Sequence, residues 1–171
     1  MLLLGLGRLG ATPSATEYQV KAAFLFNFAK YVTWPAHAFP DATAPIRIGI
    51  LGEDPFQNDL AEVVAGQKWE GRAFEIAHGS RAEDLASCQV IFISDSEQSR
   101  MTQHLAALRK ARSPALVAGN DASLLSSGGM IRFVMERNKV RFEINLGNAN
   151  AAGLNLSSKL LSLARQVDRP S

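Results

Sequence analysis

The chain has 171 residues, 47% of them hydrophobic and 20% charged, with a formal net charge of +2. The apolar content excludes a disordered chain, a single cysteine (Cys88) excludes a disulfide framework, and the length predicts one domain of the usual size of about 100–200 residues. Neither a basic tail nor a like-charge block points to nucleic acid, and no apolar run reaches the roughly 18 residues that span a bilayer.

Residues 1–15, MLLLGLGRLGATPSA, pass from apolar to small residues. Two readings stand: the tail of a secretory signal whose start is truncated, or a disordered leader. The spacing Gly5-x-Gly7-x-x-Gly10 matches a dinucleotide-binding turn. That turn needs a strand before it and a helix after it, and this leader offers neither.

Residues 17–33 predict a helix ended by Trp34-Pro35. Its apolar arc, with Phe24, Phe28, Val20 and Tyr31 in it, is about twice the width of an ordinary surface stripe of somewhat over 100°. Phe24, Phe26, Phe28 and Tyr31 therefore mark either a core helix or a helix shared with a second subunit. A Pro/Ala-rich loop over 36–45 leads to a strand at 46–51. Asp54 is the expected N-cap of the next helix, with Pro55 at its first position and Phe56, Leu60 and Val63/Val64 on its buried face. Gly66 and Gly71 bracket a turn, 72–77 is a short strand, and 81–87 form a turn or two of helix.

Residues 90–93, Val-Ile-Phe-Ile, suit a strand buried on both faces. Ser94-x-x-Glu97 has capping-box spacing for a helix that carries Met101, Leu105 and Leu108. Arg109, Lys110 and Arg112 sit at its C-terminal end, where they complement the helix dipole or attract phosphates or acidic lipid. A strand at 115–118 completes a strand–helix–strand repeat with parallel pairing. Residues 130–135 and 139–145 form a hairpin. Pairing Met135 with Val140 sets Phe133 opposite Phe142 and Ile131 opposite Ile144 on one apolar face. Arg132 then faces Glu143 on the other, together with Val134, Arg141 and Asn145. A last helix carries Leu156, Leu160, Leu163, Ala164 and Val167, starting near Ser157 or Ser158. The expected fold is one α/β sandwich over 17–168, a mostly parallel sheet flanked by helices with a C-terminal antiparallel hairpin.

The chemistry-bearing residues are sparse. His37, His78 and His104 have no carboxylate or cysteine at metal-ligand spacing, so no metal or other cofactor is expected. There is no nucleophile elbow, carboxylate dyad or P-loop, which favours binding over catalysis. Ser94 and Ser96, after a buried strand and before a helix, either cap that helix or line a small-ligand crevice. Cys88, with no basic neighbour in sequence, reads as an inert buried thiol. The Arg132–Glu143 pair is a cross-strand ion pair or a set of polar contacts for a partner.

Taken in order, EYQVKAAFLFNFAKYV (17–32) with Trp34-Pro35, IGILGEDPF (48–56), CQVIFISDSE (88–97), GGMI (128–131), VRFEIN (140–145), AGL (152–154) and SSKLL (157–161) resemble the YfiR-like family over about residues 17–166. The resemblance implies a periplasmic, dimeric α/β protein and no enzyme. It implies a repressor that binds the periplasmic part of a membrane-bound diguanylate cyclase, lowering cyclic di-GMP signalling and biofilm formation, with an outer-membrane lipoprotein able to sequester it. The family's partner-binding surface carries over to Ile131, Glu143 and Ala149, beside Arg132 and Arg141 on the hairpin. By motif position Cys88 matches a family cysteine, and Gly49 stands where its disulfide partner would be. The alternative is a periplasmic small-ligand module using the crevice at 94–97.

Overall fold

Short apolar-rich segments become the middle strands of a sheet, and helices close both of its faces. The computed structural model describes residues 13–170. Of the leader expected over 1–15, residues 1–12 lie outside them. Helix α1 (Pro13–Lys30) and short strand β1 (Val32–Thr33) precede the first sheet strand, β2 (Ile46–Leu51). Helix α2 (Asp59–Val64) leads to a small hairpin of β3 (Lys68–Trp69) and β4 (Arg72–Gly79). Strand β5 (Val90–Ile93), helix α3 (Met101–Lys110) and strand β6 (Leu116–Gly119) follow. A long hairpin, β7 (Ile131–Glu136) and β8 (Lys139–Asn145), runs into helix α4 (Leu146–Ala151). The chain then passes through β9 (Asn155–Leu156), α5 (Ser158–Leu163) and β10 (Gln166–Asp168).

One eight-stranded sheet has the order β10-β8-β7-β6-β5-β2-β4-β3, and β1 pairs with β9 apart from it. The pairs β2–β4, β2–β5, β5–β6, β6–β7 and β8–β10 are parallel; the two hairpins are antiparallel. The architecture is the mixed α/β fold expected, with a mostly parallel sheet. The long hairpin has the expected register, Ile131 opposite Ile144, Arg132 opposite Glu143 and Phe133 opposite Phe142. Arg137 and Asn138 both take positive φ, +50° and +61°, as a two-residue hairpin turn requires.

Helices α1 and α2 share a core with one face of the sheet; α3 and the 82–85 turn share a second core with the other. The α1 side is held by interlocking rings. Phe28 stacks on Phe133 at 5.8 Å between centroids and meets Phe142 edge-on at 5.0 Å. Phe24 reaches Phe142 at 5.2 Å, while Phe56 meets Phe92 edge-on at 5.0 Å. Phe28 is buried, whereas Phe24, Phe26 and Tyr31 are half-buried, Phe26 against Phe74 and Tyr31 beneath the Lys159 ammonium. The broad apolar arc thus serves the core of a single chain: it reaches both the long hairpin and the β2–β4 end of the sheet.

Four local expectations change. The first helix stops at Lys30 because Val32 and Thr33 pair with Leu156 and Asn155. Asp54 does not cap α2. Its Oδ1 accepts from the Phe56 N–H (2.7 Å), its Oδ2 meets His78 Nε2 (2.7 Å), and a positive φ at Gln57 delays the helix to Asp59. The Ser94/Glu97 capping box does not form. Residues 95–100 are a 3-10 turn without a side-chain cap, and Glu97 turns inward instead. The single long C-terminal helix is α5 alone, capped by Ser157, with Leu156 in β9 and Val167 in β10.

Glu97 and His104 form a buried pair at the β5–α3 corner. The carboxylate can only accept, so His104 Nε2 donates to it at 2.7 Å, and Arg100 Nη2 donates at 2.8 Å from the solvent side. These bonds, His104's foremost and against the opposing effect of burial, hold Glu97 below its ordinary value. A depressed carboxylate contributes stability that is complete above the unfolded pKa of about 4.3 and is lost as the pH falls through the folded one. Glu97→Gln is therefore expected to destabilise the protein at pH 7 by about 1.5–3 kcal/mol, the worth of hydrogen bonds to a charged group. In urea titrations the gap between variant and wild type should close as the pH drops below about 4; a gap independent of pH would contradict the assignment.

Cys88 is buried beneath β2, and burial pushes its thiol up, with Arg47 opposing more weakly. A Cβ placed on Gly49 would lie 3.1 Å from its Sγ. An S–S bond of about 2.05 Å puts the far Cβ about 3 Å from the first sulfur, so this spacing suits a bridge. Leu85 methyls at 3.3 Å must yield a few tenths of an ångström. Gly49→Cys is expected to oxidise to a 49–88 disulfide, leaving no titratable thiol under denaturing conditions. Oxidation should add about 2–4 kcal/mol of stability over the reduced variant.

Candidate functional site

Strand alternation sends Ile131, Phe133, Phe142 and Ile144 toward α1 and sends Arg132, Val134, Arg141 and Glu143 away from it. On that outer face Glu143 sits between two guanidinium groups. Arg132 Nη1 donates to Glu143 Oε2 at 3.3 Å, and Arg165 Nη1 lies 3.7 Å from Oε1. Arg165 also reaches Glu136 at 3.6 Å, so the array links both strands of the hairpin to the segment after α5. The Arg165 backbone N–H donates to the Phe142 carbonyl (2.8 Å), and β10 then runs parallel to β8 with Gln166 opposite Glu143. That short edge strand fixes where Arg165 stands.

The array is incomplete in one respect. Arg132 Nε is buried and has no hydrogen-bond partner, the one such side-chain atom among the described residues. An unsatisfied buried donor costs about 1–3 kcal/mol. Around the array, Arg141 is exposed and pairs with no acid among the described residues, and Met135 is half exposed. A polar cleft of about 570 Å³ opens beside it, toward the carboxyl ends of β5 and β6, and takes in Lys21, Asp95, Asn120, Arg132, Glu143 and Arg165. Lys21 is almost fully buried there. It pairs with Glu17, donates to Asn120 Oδ1 at 2.9 Å and lies over the Tyr18 ring. Burial raises the Tyr18 phenol, and the hydrogen bond from Asn120 opposes that.

Of the five residues expected to form a partner surface, Arg132, Arg141 and Glu143 share this face. Ile131 and Ala149 do not: both are fully buried. Ile131 belongs to the apolar layer under α1, and Ala149 sits inside α4 against the same core. Sequence reasoning missed Arg165 and Glu136, because a three-residue strand leaves no periodic signal.

The crevice expected near Ser94 and Ser96 lies at the carboxyl ends of β2 and β5, where strand order reverses. The protein fills it with its own groups. Ser94 is buried, Ser96 Oγ accepts from the Glu53 N–H at 3.0 Å, and Asp95 accepts from Asn120 at 3.1 Å. A Cβ on Gly52 would come within 2.5 Å of Ser96 Oγ, so the backbone is already as close as glycine permits.

Among solved structures the fold is similar to the ABC domain in complex with L-Trp from Streptococcus pneumonia (13% identity, TM-score 0.57, covering 85% of this chain and 60% of that one). It is similar also to a conserved domain protein from Vibrio cholerae O1 biovar El Tor (12% identity, TM-score 0.57, 86% and 60%). The chain spans about 60% of the length of either, and at these identities the likeness is one of fold. A search of curated proteins gives no match. The model of the YfiR/HmsC-like family matches residues 18–165, from the start of the α1 ring cluster to Arg165 itself. The chain therefore belongs to the YfiR/HmsC-like family.

Proposed function

We propose that this protein is a periplasmic repressor that binds the periplasmic sensor region of a membrane-bound diguanylate cyclase and holds the enzyme inactive, lowering cyclic di-GMP and biofilm formation. Family membership across residues 18–165 is the observation that carries the reading. The outer face of the long hairpin supports it as the contact surface. Arg141 stands free there, the Arg132–Glu143–Arg165 array is half-buried, and a partner carboxylate that drew Arg132 outward would satisfy its orphaned Nε–H.

Repression of this kind is a matter of differential affinity. A bound protein moves a two-state enzyme only as far as it prefers one state over the other. Carrying the target from 99% active to 99% inactive takes a preference of about 10⁴-fold. No reacting group is needed for this, only a rigid face that fits one conformation, and the rings behind β7 and β8 supply the rigidity.

The purified periplasmic region of the target cyclase should co-elute with this protein. Arg141→Glu should weaken the complex about tenfold or more, by reversing a free surface charge, and should leave the melting temperature nearly unchanged. Deleting the gene should raise cellular cyclic di-GMP, and re-expression of the Arg141→Glu form should restore repression only in part. Absence of association at high micromolar concentration, together with no rise on deletion, would overturn the proposal.

A further inference from the structure

A second cavity, of about 520 Å³, lies between α3, α4 and the loop that precedes β7. It is separate from the hairpin array and shares no lining residue with the polar cleft beside it. Its volume falls within the roughly 300–1,000 Å³ of small-molecule sites. The floor is aliphatic: Leu105, Leu108, Val117 and Met130 line it. The mouth carries Arg109 and Arg112, and no acidic residue lines any part of it among the described residues.

The two arginines stand at the C-terminal end of α3, where a cation complements the helix dipole. That accounts for their sign but not for their placement. Neither forms an ion pair or a side-chain hydrogen bond among the described residues, so no carbonyl or carboxylate holds them. Arg109 instead folds back over the loop. Its Nη2 lies 2.9 Å from where a Gly128 Cβ would stand, at a residue whose φ of +114° suits glycine alone. A larger residue at 128 would push the guanidinium away from the opening. The opposite wall is fixed by Asn148, whose Nδ2 donates to the Gly129 carbonyl (2.7 Å) and the Leu125 carbonyl (2.8 Å), pinning α4 to the same loop.

We infer that this cavity is a binding site for a small organic anion with an aliphatic body, a medium-chain carboxylate: the chain on the leucine, valine and methionine floor, the carboxylate on Arg109 and Arg112. The chemistry of the wall selects that class. His37 is the one ring that lines it, beside no phenylalanine, tyrosine or tryptophan, and the aliphatic floor favours an alkyl chain over a large flat ring. Two guanidinium groups without an acid of their own are a fork for a carboxylate.

Calorimetric titration of the full chain with hexanoate, octanoate and decanoate, below their micelle concentrations, tests the assignment. Affinity is expected to rise about fourfold for each added methylene, as burial of a CH₂ group predicts. Octanol and octylamine should bind at least tenfold more weakly than octanoate. The double variant Arg109→Gln/Arg112→Gln should lose at least tenfold in octanoate affinity at an unchanged melting temperature, since both side chains are exposed and hold nothing else. A second variant, Leu105→Trp, should block octanoate by filling the floor while both arginines remain. The inference falls if octanoate does not bind, if octanol binds as well as octanoate, or if the double variant binds octanoate like the wild type. None of these readouts involves a cyclase, so their failure leaves the proposed repression standing, and the reverse holds too.

Discussion

The stack of phenylalanine rings between α1 and the β7–β8 hairpin governs the arrangement of everything else. Two antiparallel strands are weakly anchored when their outer neighbours hold them over few residues: β7 meets β6 over just two residue pairs, Ala118 with Ile131 and Gly119 with Arg132, and β8 meets β10 over three. The rings make up the difference. Phe24 and Phe28 from the helix interleave with Phe133 and Phe142 from the two strands, and Phe133 also touches Phe92 on β5 at 6.3 Å. Removing one such ring from a packed core costs about 3–5 kcal/mol, a large part of the stability of a domain this size. The apolar face of the hairpin is thereby committed to α1. With a side-chain period of two, its other face has to be the one with Arg132, Arg141 and Glu143.

That commitment leaves one of the two hairpin faces accessible for the proposed contact. Ile131 and Glu143 are neighbours in family pattern but opposite in orientation, and only the Glu143 side is accessible. Strand β10 then shapes what a partner meets. It pairs with β8 over Gln166 to Asp168 and brings Arg165 alongside, so Glu143 has a cation on either side of it. At three residues it is too short to template further pairing, and β3 at the far edge has only two. Short edges of this kind discourage indiscriminate sheet extension. On the proposed contact surface, recognition therefore rests with side chains on the face rather than with free backbone at the rim.

The parts of the chain that were legible in sequence share a physical cause. Strands β5 and β6 have short continuous apolar runs, β2 is apolar but for Arg47 and Gly49, and β7–β8 alternates around a turn, so burial specifies element and register. The unread parts are short and held by tertiary contacts. Strands β1, β9 and β10 have two or three residues each and exist because of their partners. Helix α4 begins at Leu146 only because Asn145, the last residue of β8, caps it, its Oδ1 accepting from the Asn148 N–H at 3.0 Å. The same limit applies to polar residues. Asp54 and Ser94-x-x-Glu97 had cap spacing, but spacing does not reveal that His78 or His104 stands within 2.7 Å in space and takes up a carboxylate oxygen, at the surface for Asp54 and in the core for Glu97. For the site, Arg132, Arg141 and Glu143 followed from alternation; Arg165 and the cavity under Arg109 did not, because both depend on crossings between distant segments.

The net charge of +2 is small, so net charge contributes little to drawing a partner toward this chain. At physiological ionic strength, moreover, a surface charge is screened beyond about 8 Å. Specificity has to arise from individual groups at contact, and the molecule sorts its charges accordingly. Those nearest the core are paired: Lys21 with Glu17, Glu97 with His104 and Arg100, and Glu143 with Arg132 and Arg165. Pairing there avoids the cost of several kcal/mol that a lone buried ion imposes. Arg109, Arg112 and Arg141 carry no such obligation among the described residues. A group already engaged must break a bond before it can recognise anything, whereas a free guanidinium on a rigid wall loses only hydration and side-chain freedom. Among the described residues, the outer face of the hairpin and the mouth of the α3–α4 cavity, where free arginines border a fixed surface, are therefore places where this fold can bind with little rearrangement of its own structure.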